Sequence, residues 1–98
     1  MTVDSSIFKP AIVALNETGM PPARCIFAVH TGQDCTHVPE LVEAVTLAGS
    51  EAAEHPTETV TLYAVEVREF RSPQSLWSAL ANGYGWEQRS VVLWERKP

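Results

Sequence analysis

The chain has 98 residues, of which 45% are hydrophobic and 19% are charged, and its formal net charge is −5 at pH 7. This composition excludes a largely disordered chain, and the length suits a single domain over residues 1–98. Because the chain offers no basic patch to neutralise phosphates, we expect neither nucleic acid nor an anionic membrane surface as its partner.

Residues 1–6 are small and polar, and we expect them to form a flexible lead-in. They lack the positive start and the apolar run of an export signal, and no apolar run in the chain approaches the length of a membrane span. The sequence therefore predicts a soluble, cytoplasmic protein in which both cysteines, Cys25 and Cys35, stay reduced.

The apolar run of residues 11–15 is compatible with two structures. We favour a buried strand, since a short continuous apolar run is typical of one. The alternative is a short helix with Pro10 in its first turn and Gly19 at its end. Residues 16–23 contain a glycine and two prolines and are expected to form a loop.

Residues 24–54 hold the clearest pattern in the chain. Residues 25–29 are apolar on both faces, which is typical of a central strand in a parallel or mixed sheet, and residues 30–37 form a polar loop. An amphipathic helix begins near Val38, with Pro39 in its first turn. Its apolar arc and its opposite acidic face are as follows: Val38, Leu41, Val42, Val45, Ala48, Gly49 and Ala52 against Glu40, Glu43, Glu51 and Glu54.

Leu47 is the exception in this helix, because it falls in the middle of the acidic face. It is either a lone exposed leucine or a contact with a second subunit or an N-terminal segment. Tyr84 and Trp86 flank a glycine at a loop-to-strand junction, where exposed aromatic residues often anchor interfaces. The alternative, which we favour, is that these aromatic residues form a lid over one end of the core. These three residues are our interface candidates.

The second half of the chain predicts a strand, a helix and a strand. Residues 57–70 alternate with a change of phase, which a bulge near Tyr63 to Val65 would reconcile. A long strand whose two halves pack under different elements would reconcile it equally well. A helix starts at Ser72, where proline follows the cap, and ends at residues 82–83. The last strand is centred on residues 91–94.

Taken together, these elements predict an α+β (or small α/β) fold. It would have one mixed sheet of three to four strands with two helices packed on it, in the order β-β-α-β-α-β. Parallel crossovers and an antiparallel pairing of residues 59–69 with 86–96 both remain open. Either way, the predicted core is Ile26, Val29, Leu41, Val45, Leu62, Leu76, Leu80 and Val92.

The polar loop at residues 30–37 is the main candidate for chemistry. Cys35 precedes a helix start, where a thiolate is favoured, and His30 or His37 would serve as its base. Thr31, Gly32 and Thr36 would line an anion site at the helix N-terminus. The loop matches no phosphate-binding or nucleophile motif, and no side chain that would orient the histidine is evident.

Metal binding is the other chemistry that this loop suggests. His30, Asp34, Cys35 and His37 are zinc-type ligands, but their spacing matches no structural zinc pattern. His55 lies at the far end of the helix, roughly 25 Å from its start at ~1.5 Å per residue, and so would not join them. We therefore predict no metal and no other cofactor.

These observations favour a small non-enzymatic accessory or protein-interaction domain. Its partner would be a second copy of itself, as a homo-oligomer and most simply a dimer, or another protein. The alternative is a small ligand-binding protein or enzyme that uses residues 30–37, through a Cys/His nucleophile or a metal site. The absence of a recognisable catalytic constellation decides between the two in favour of the interaction domain.

Overall fold

A computed structural model describes residues 5–20, 25–66 and 90–98. The described elements are α1 (Ser5–Thr18), β1 (Cys25–Thr31), β2 (Asp34–Val38), α2 (Leu41–Glu54), β3 (Val60–Glu66) and β4 (Ser90–Arg96). The strands form one sheet in the order β2-β1-β3-β4, and every neighbouring pair is antiparallel. Both helices contribute to one core on one face of the sheet.

The predicted α+β class is confirmed, while the predicted order of elements is not matched. The chain starts with a helix, and its described strands are all antiparallel, so the prediction of a mixed sheet is wrong. The antiparallel pairing left open for the last two strands is the one that forms. The helix expected from residue 72 lies outside the described residues, as do Tyr84 and Trp86.

The favoured strand at residues 11–15 is wrong, because these residues belong to α1. Ile7, Ala11 and Leu15 recur at four-residue intervals and are all buried, so the helical period starts before the apolar run itself. Pro10 sits inside the helix on its exposed side. Gly19 follows the helix with a φ of 73°, a left-handed conformation that commonly ends helices. The helix already includes Ser5 and Ser6, which we had expected in a flexible lead-in.

The predicted loop at residues 30–37 is instead the tip and second strand of a hairpin. Thr31 pairs with Asp34 across a two-residue turn, and β2 runs back along β1 as far as Phe27, which pairs with Val38. In this turn Gly32 has a φ of 58° and no other residue has a positive φ, as in a type II′ turn. Three of the five residues of β2 are exposed, and most of its residues are polar. In the sequence, such a polar strand resembles a loop.

The prediction that residues 25–29 form a central strand is confirmed. β1 lies between β2 and β3, and its residues from Cys25 to Val29 are buried on both faces of the sheet. Phe27 and Val29 face the helices within the main core, whereas Ile26 and Ala28 are buried on the opposite face. Neither described helix is long and apolar enough to cross a membrane.

A bulge occurs between β3 and β4, on the strand opposite the one predicted. Leu62 pairs with Trp94 and Tyr63 with Val92, so Leu93 is the extra residue on β4. Leu93 is consequently buried, while Val92 is 50% exposed. The assignment of Val92 to the core is therefore wrong, because the bulge changes which residues of β4 face the helices.

The buried face of α2 is rotated from the predicted arc toward Leu47. Ala44, Val45 and Ala48 are its buried residues, and Leu47 is half-buried against the core. Val42, which we expected on the apolar arc, is 40% exposed. Of the other predicted core residues, Ile26, Val29, Val45 and Leu62 are buried, Leu41 is half-buried, and Leu76 and Leu80 lie outside the described residues.

Candidate functional site

The hairpin places the three chemical candidates on the sheet face opposite the helices. His30 pairs directly with Cys35, and Ala28 with His37, and paired residues project from the same face. Cys35 and His37 also share this face because they are two residues apart on one strand. The Sγ atom of Cys35 lies 4.0 Å from Nε2 of His37. Cys35 and His37 are therefore in contact because residues 34–38 form a strand, which places both side chains on the same face.

The electrostatics of this pair oppose the predicted nucleophile. Although Cys35 is exposed at the strand edge, partial burial of its thiol raises the pKa of that thiol. Partial burial also lowers the pKa of the His37 imidazole, so both groups favour their neutral forms. Cys35 also lies on β2, well before the first residue of α2, Leu41, so the helix N-terminus does not stabilise its thiolate. A catalytic role for Cys35, His30 or His37 remains a prediction without support from the geometry.

A row of polar residues continues across the same face of the sheet. Cys35 pairs with His30, His30 with Thr61, and Thr61 with Glu95. The Thr61 hydroxyl donates a hydrogen bond of 3.2 Å to Oε2 of Glu95. Neighbouring strands are ~4.8 Å apart, so Cys35 and Glu95 are separated by roughly 14 Å at the backbone and do not form one catalytic group. The sequence does not predict this row, because the row depends on the order of the strands in the sheet.

The tip of the hairpin lines a cleft of about 370 Å³, which lies between this tip and the segment that follows α2. Its lining residues are Thr31, Gly32, Gln33, Asp34, His55 and Glu58. We had excluded His55 from this region by the length of the helix. That prediction is wrong, since His55 lies beside the hairpin tip. Strand β2 leads away from the turn, and α2 runs back, so the C-terminal end of α2 lies near the turn. Thr36, the third predicted ligand-binding residue, does not line the cleft.

The cleft does not suit the anion that the sequence suggested. It lies at the C-terminal end of α2, where the helix dipole is negative, and two of its lining residues are the carboxylates Asp34 and Glu58. Beside it, Nε2 of His55 is 3.2 Å from Oε2 of Glu51. Glu51, Glu54 and His55 offer metal-ligand atoms within 4.8 Å of one another, a grouping the sequence analysis did not identify. Glu54 and His55 are exposed, as solvated helix ends commonly are.

Arg96 holds the wall of this cleft in place. Its guanidinium donates hydrogen bonds of 2.8 Å to the backbone carbonyls of Ala52, His55 and Glu58. Ala52 lies in the last turn of α2, which contains no basic side chain of its own, and His55 and Glu58 follow the helix. Arg96 therefore caps α2 from a strand that is distant in sequence, and no local pattern indicated this role.

The outer strand β2 is the most exposed regular element of the sheet. Asp34, Cys35 and Thr36 are exposed, while His37 and Val38 are half-buried. Strand β4, at the other edge of the described sheet, has contacts with α1 and carries the bulge at Leu93. Of the predicted interface residues, Leu47 packs partly against the core.

No protein-family model, curated protein or solved structure matches this chain. Its function is therefore inferred from its own side chains and strand edges.

Proposed function

We propose that this chain is a small non-enzymatic interaction domain that pairs with a second copy of itself along β2. The observation that carries the proposal is the exposure of this strand at the edge of the described sheet. Exposed edge strands are templates for pairing with another chain unless lysines, prolines or bulges protect them. Within its five residues, β2 has no lysine, no proline and no register shift, and its one acidic residue, Asp34, lies at the end next to the turn.

The hairpin turn determines which backbone groups face outward. Thr31 and Asp34 flank a two-residue turn and so form a hydrogen-bonded pair. Because such pairs alternate along an antiparallel ladder, the N–H and C=O groups of Thr36 also point toward β1. The backbone groups of Cys35 and His37 consequently point toward the outer edge.

One register pairs two copies of β2 over their full length. If a two-fold axis passes through Thr36, Cys35 lies opposite the partner subunit's His37, and Asp34 lies opposite the partner subunit's Val38. Both outward-facing residues then take part in hydrogen-bonded pairs, and no like charges are opposed. The two sheets would form one continuous antiparallel sheet. A small domain gains from such pairing because it buries a limited share of its own surface.

We expect this association to take place in the cytoplasm. Cys35 is an exposed cysteine at the proposed interface, and an exposed thiol stays reduced in that compartment.

Thr36→Lys tests the pairing, since it places two ammonium groups in direct opposition at the two-fold axis. Thr36 is exposed, so the folded monomer tolerates the change. We expect the dissociation constant of the dimer to rise about tenfold or more, from like-charge repulsion at the closest pair. Thr57→Lys is the matched control, because Thr57 is exposed outside the sheet and gains the same charge.

The measurement is sedimentation equilibrium of the full chain over a range of about 10 µM to 1 mM, since a short strand pair gives modest affinity. The proposal requires the unmodified chain and Thr57→Lys to dimerise alike. A chain that stays monomeric throughout, with or without added divalent metal, would refute the proposal. Equal dimerisation of Thr36→Lys would show that any dimer uses another surface.

A further inference from the structure

We propose that Cys35 and His37 form half of a tetrahedral zinc-class metal site, which is completed when two copies of the chain pair along β2. The inference rests on the proposed function, and it identifies a metal ion as the ligand that the paired β2 strands would bind. Two thiolates and two imidazoles, one of each from either copy, would surround a single metal ion.

The half-site has a ligand spacing close to that which zinc requires. Zinc binds thiolate sulfur at ~2.3 Å and imidazole nitrogen at ~2.0–2.1 Å, so tetrahedral geometry places these two atoms roughly 3.6 Å apart. Sγ of Cys35 and Nε2 of His37 are already 4.0 Å apart. The difference of roughly 0.4 Å is within the range that a small rotation of the Cys35 side chain changes.

A single chain does not complete this site from its described residues. His30 shares the face and pairs with Cys35. Within residues 5–20, 25–66 and 90–98, however, the group of three ligand atoms found within 4.8 Å of one another is that of Glu51, Glu54 and His55. Structural zinc sites use four protein ligands, and β2 supplies two of them. The remaining two must come from elsewhere.

The register centred on Thr36 supplies the missing pair. It sets Cys35 opposite the partner subunit's His37 in a hydrogen-bonded pair, with Cα atoms ~5.5 Å apart. Along each strand, residues two apart are separated by roughly 6.8 Å. The four ligating residues therefore occupy the corners of a small rectangle, and all of them project from the same face of the joined sheet.

The donor set defines the class of metal. Two thiolates with two imidazoles favour Zn²⁺ or Co²⁺ over Mg²⁺ and Ca²⁺, which prefer oxygen ligands. Binding breaks the metal–water bonds of the hydrated ion, releases those waters to solvent, and forms two metal–sulfur bonds and two metal–nitrogen bonds. Each thiol loses its proton to solvent and each imidazole binds in its neutral form, so two protons are released per metal ion and the thiolates balance its charge.

The test uses the full, untagged, reduced chain, first freed of metal with a chelator. We expect calorimetric titration with Zn²⁺ to reach saturation at one ion per two chains, and sedimentation to show a tighter dimer. With Co²⁺ as the probe, we expect thiolate charge-transfer bands together with the visible bands of tetrahedral cobalt.

Cys35→Ser and His37→Gln should each weaken Zn²⁺ binding at least about a hundredfold, since each removes two ligands from the shared site. The matched controls are His30→Gln on the same face and His55→Gln in the acidic group, and both should retain one ion per two chains. Circular dichroism of each variant without metal checks that its fold is intact.

The outcomes separate this inference from the proposed function. A chain that dimerises through β2 equally well with and without Zn²⁺, and binds none, would overturn the metal site and leave the pairing intact. One ion per chain in a monomer would overturn both. Loss of binding in His55→Gln with retention in Cys35→Ser would place the metal at the end of α2 and overturn the inference.

Discussion

Gly32 is the residue on which the hairpin turn depends. Its φ of 58° lies in the left-handed region, and a Cβ atom there would be 2.8 Å from Oε2 of Glu58. Gly19 has a similar φ of 73°, but a Cβ atom on it would meet nothing within 4 Å. Substituting the two glycines in turn therefore distinguishes the cost of backbone strain from the cost of contact with a neighbouring side chain.

We predict that Gly32→Ala lowers the free energy of unfolding by ~1–2 kcal/mol from backbone strain, with little added by displacing Glu58, whose carboxylate ends a flexible, exposed side chain. Gly19→Ala is the control that shows the backbone contribution alone. Urea unfolding of both variants, and of Gly32→Ala combined with Glu58→Ala, measures the difference. If Gly32→Ala matches the unmodified chain within ~0.5 kcal/mol, the turn does not require a glycine.

At the scale of elements, Arg96 joins β4 to the end of α2. Three backbone carbonyls at the end of α2 and in the following loop accept hydrogen bonds from one guanidinium. The carbonyl of His55 also accepts a hydrogen bond from the Glu58 N–H at 3.1 Å. A planar guanidinium can serve several acceptors at once, whereas an ammonium group is a compact charge on a flexible stem. The positive charge of the guanidinium also interacts favourably with the negative C-terminal end of the α2 dipole.

Arg96→Lys should lower the free energy of unfolding by about 2 kcal/mol, because the charge is kept but the three-way hydrogen bonding is lost. Hydrogen exchange should rise most at the C-terminal turn of α2. Lys97→Arg is the matched control, since Lys97 is exposed and its nearest acid, Glu95, is 4.0 Å away. Unchanged exchange in α2 would contradict the capping role.

For the whole molecule, α1 is a structural component of the core. Its Ile7, Ala11 and Leu15 join residues from α2 and from three strands in one cluster. Leu15 is 1% exposed, whereas Val13 on the outer side of the same helix is 55% exposed. Removal of α1 would therefore uncover the sheet face on which both helices pack.

Leu15→Ala should cost ~2–5 kcal/mol of unfolding free energy, as large-to-small changes in a core do. Val13→Ala, two residues away, should stay within ~0.5 kcal/mol. Chemical denaturation of both variants measures the contrast. Similar small losses for the two would mean that α1 does not pack as described.

The features of this fold that arise from local pattern can be predicted from the order of its amino acids. The amphipathic pattern of α2 and the alternating, β-branched pattern of β3 each favour one kind of element, and the apolar run of β1 is typical of a central strand. With the composition, they establish the α+β class. Cys35 and His37 could be singled out for their chemistry, although not for their contact.

The features that depend on strand register and on what covers each surface could not be predicted from local pattern. An exposed edge strand such as β2 is polar and therefore resembles a loop, and a short apolar run such as residues 11–15 fits either a helix or a strand. The meeting of His55 with the hairpin tip and the cap provided by Arg96 join residues far apart in sequence. The bulge at Leu93 reverses the faces of neighbouring residues on β4. These features arise from packing between elements, which no local periodicity encodes.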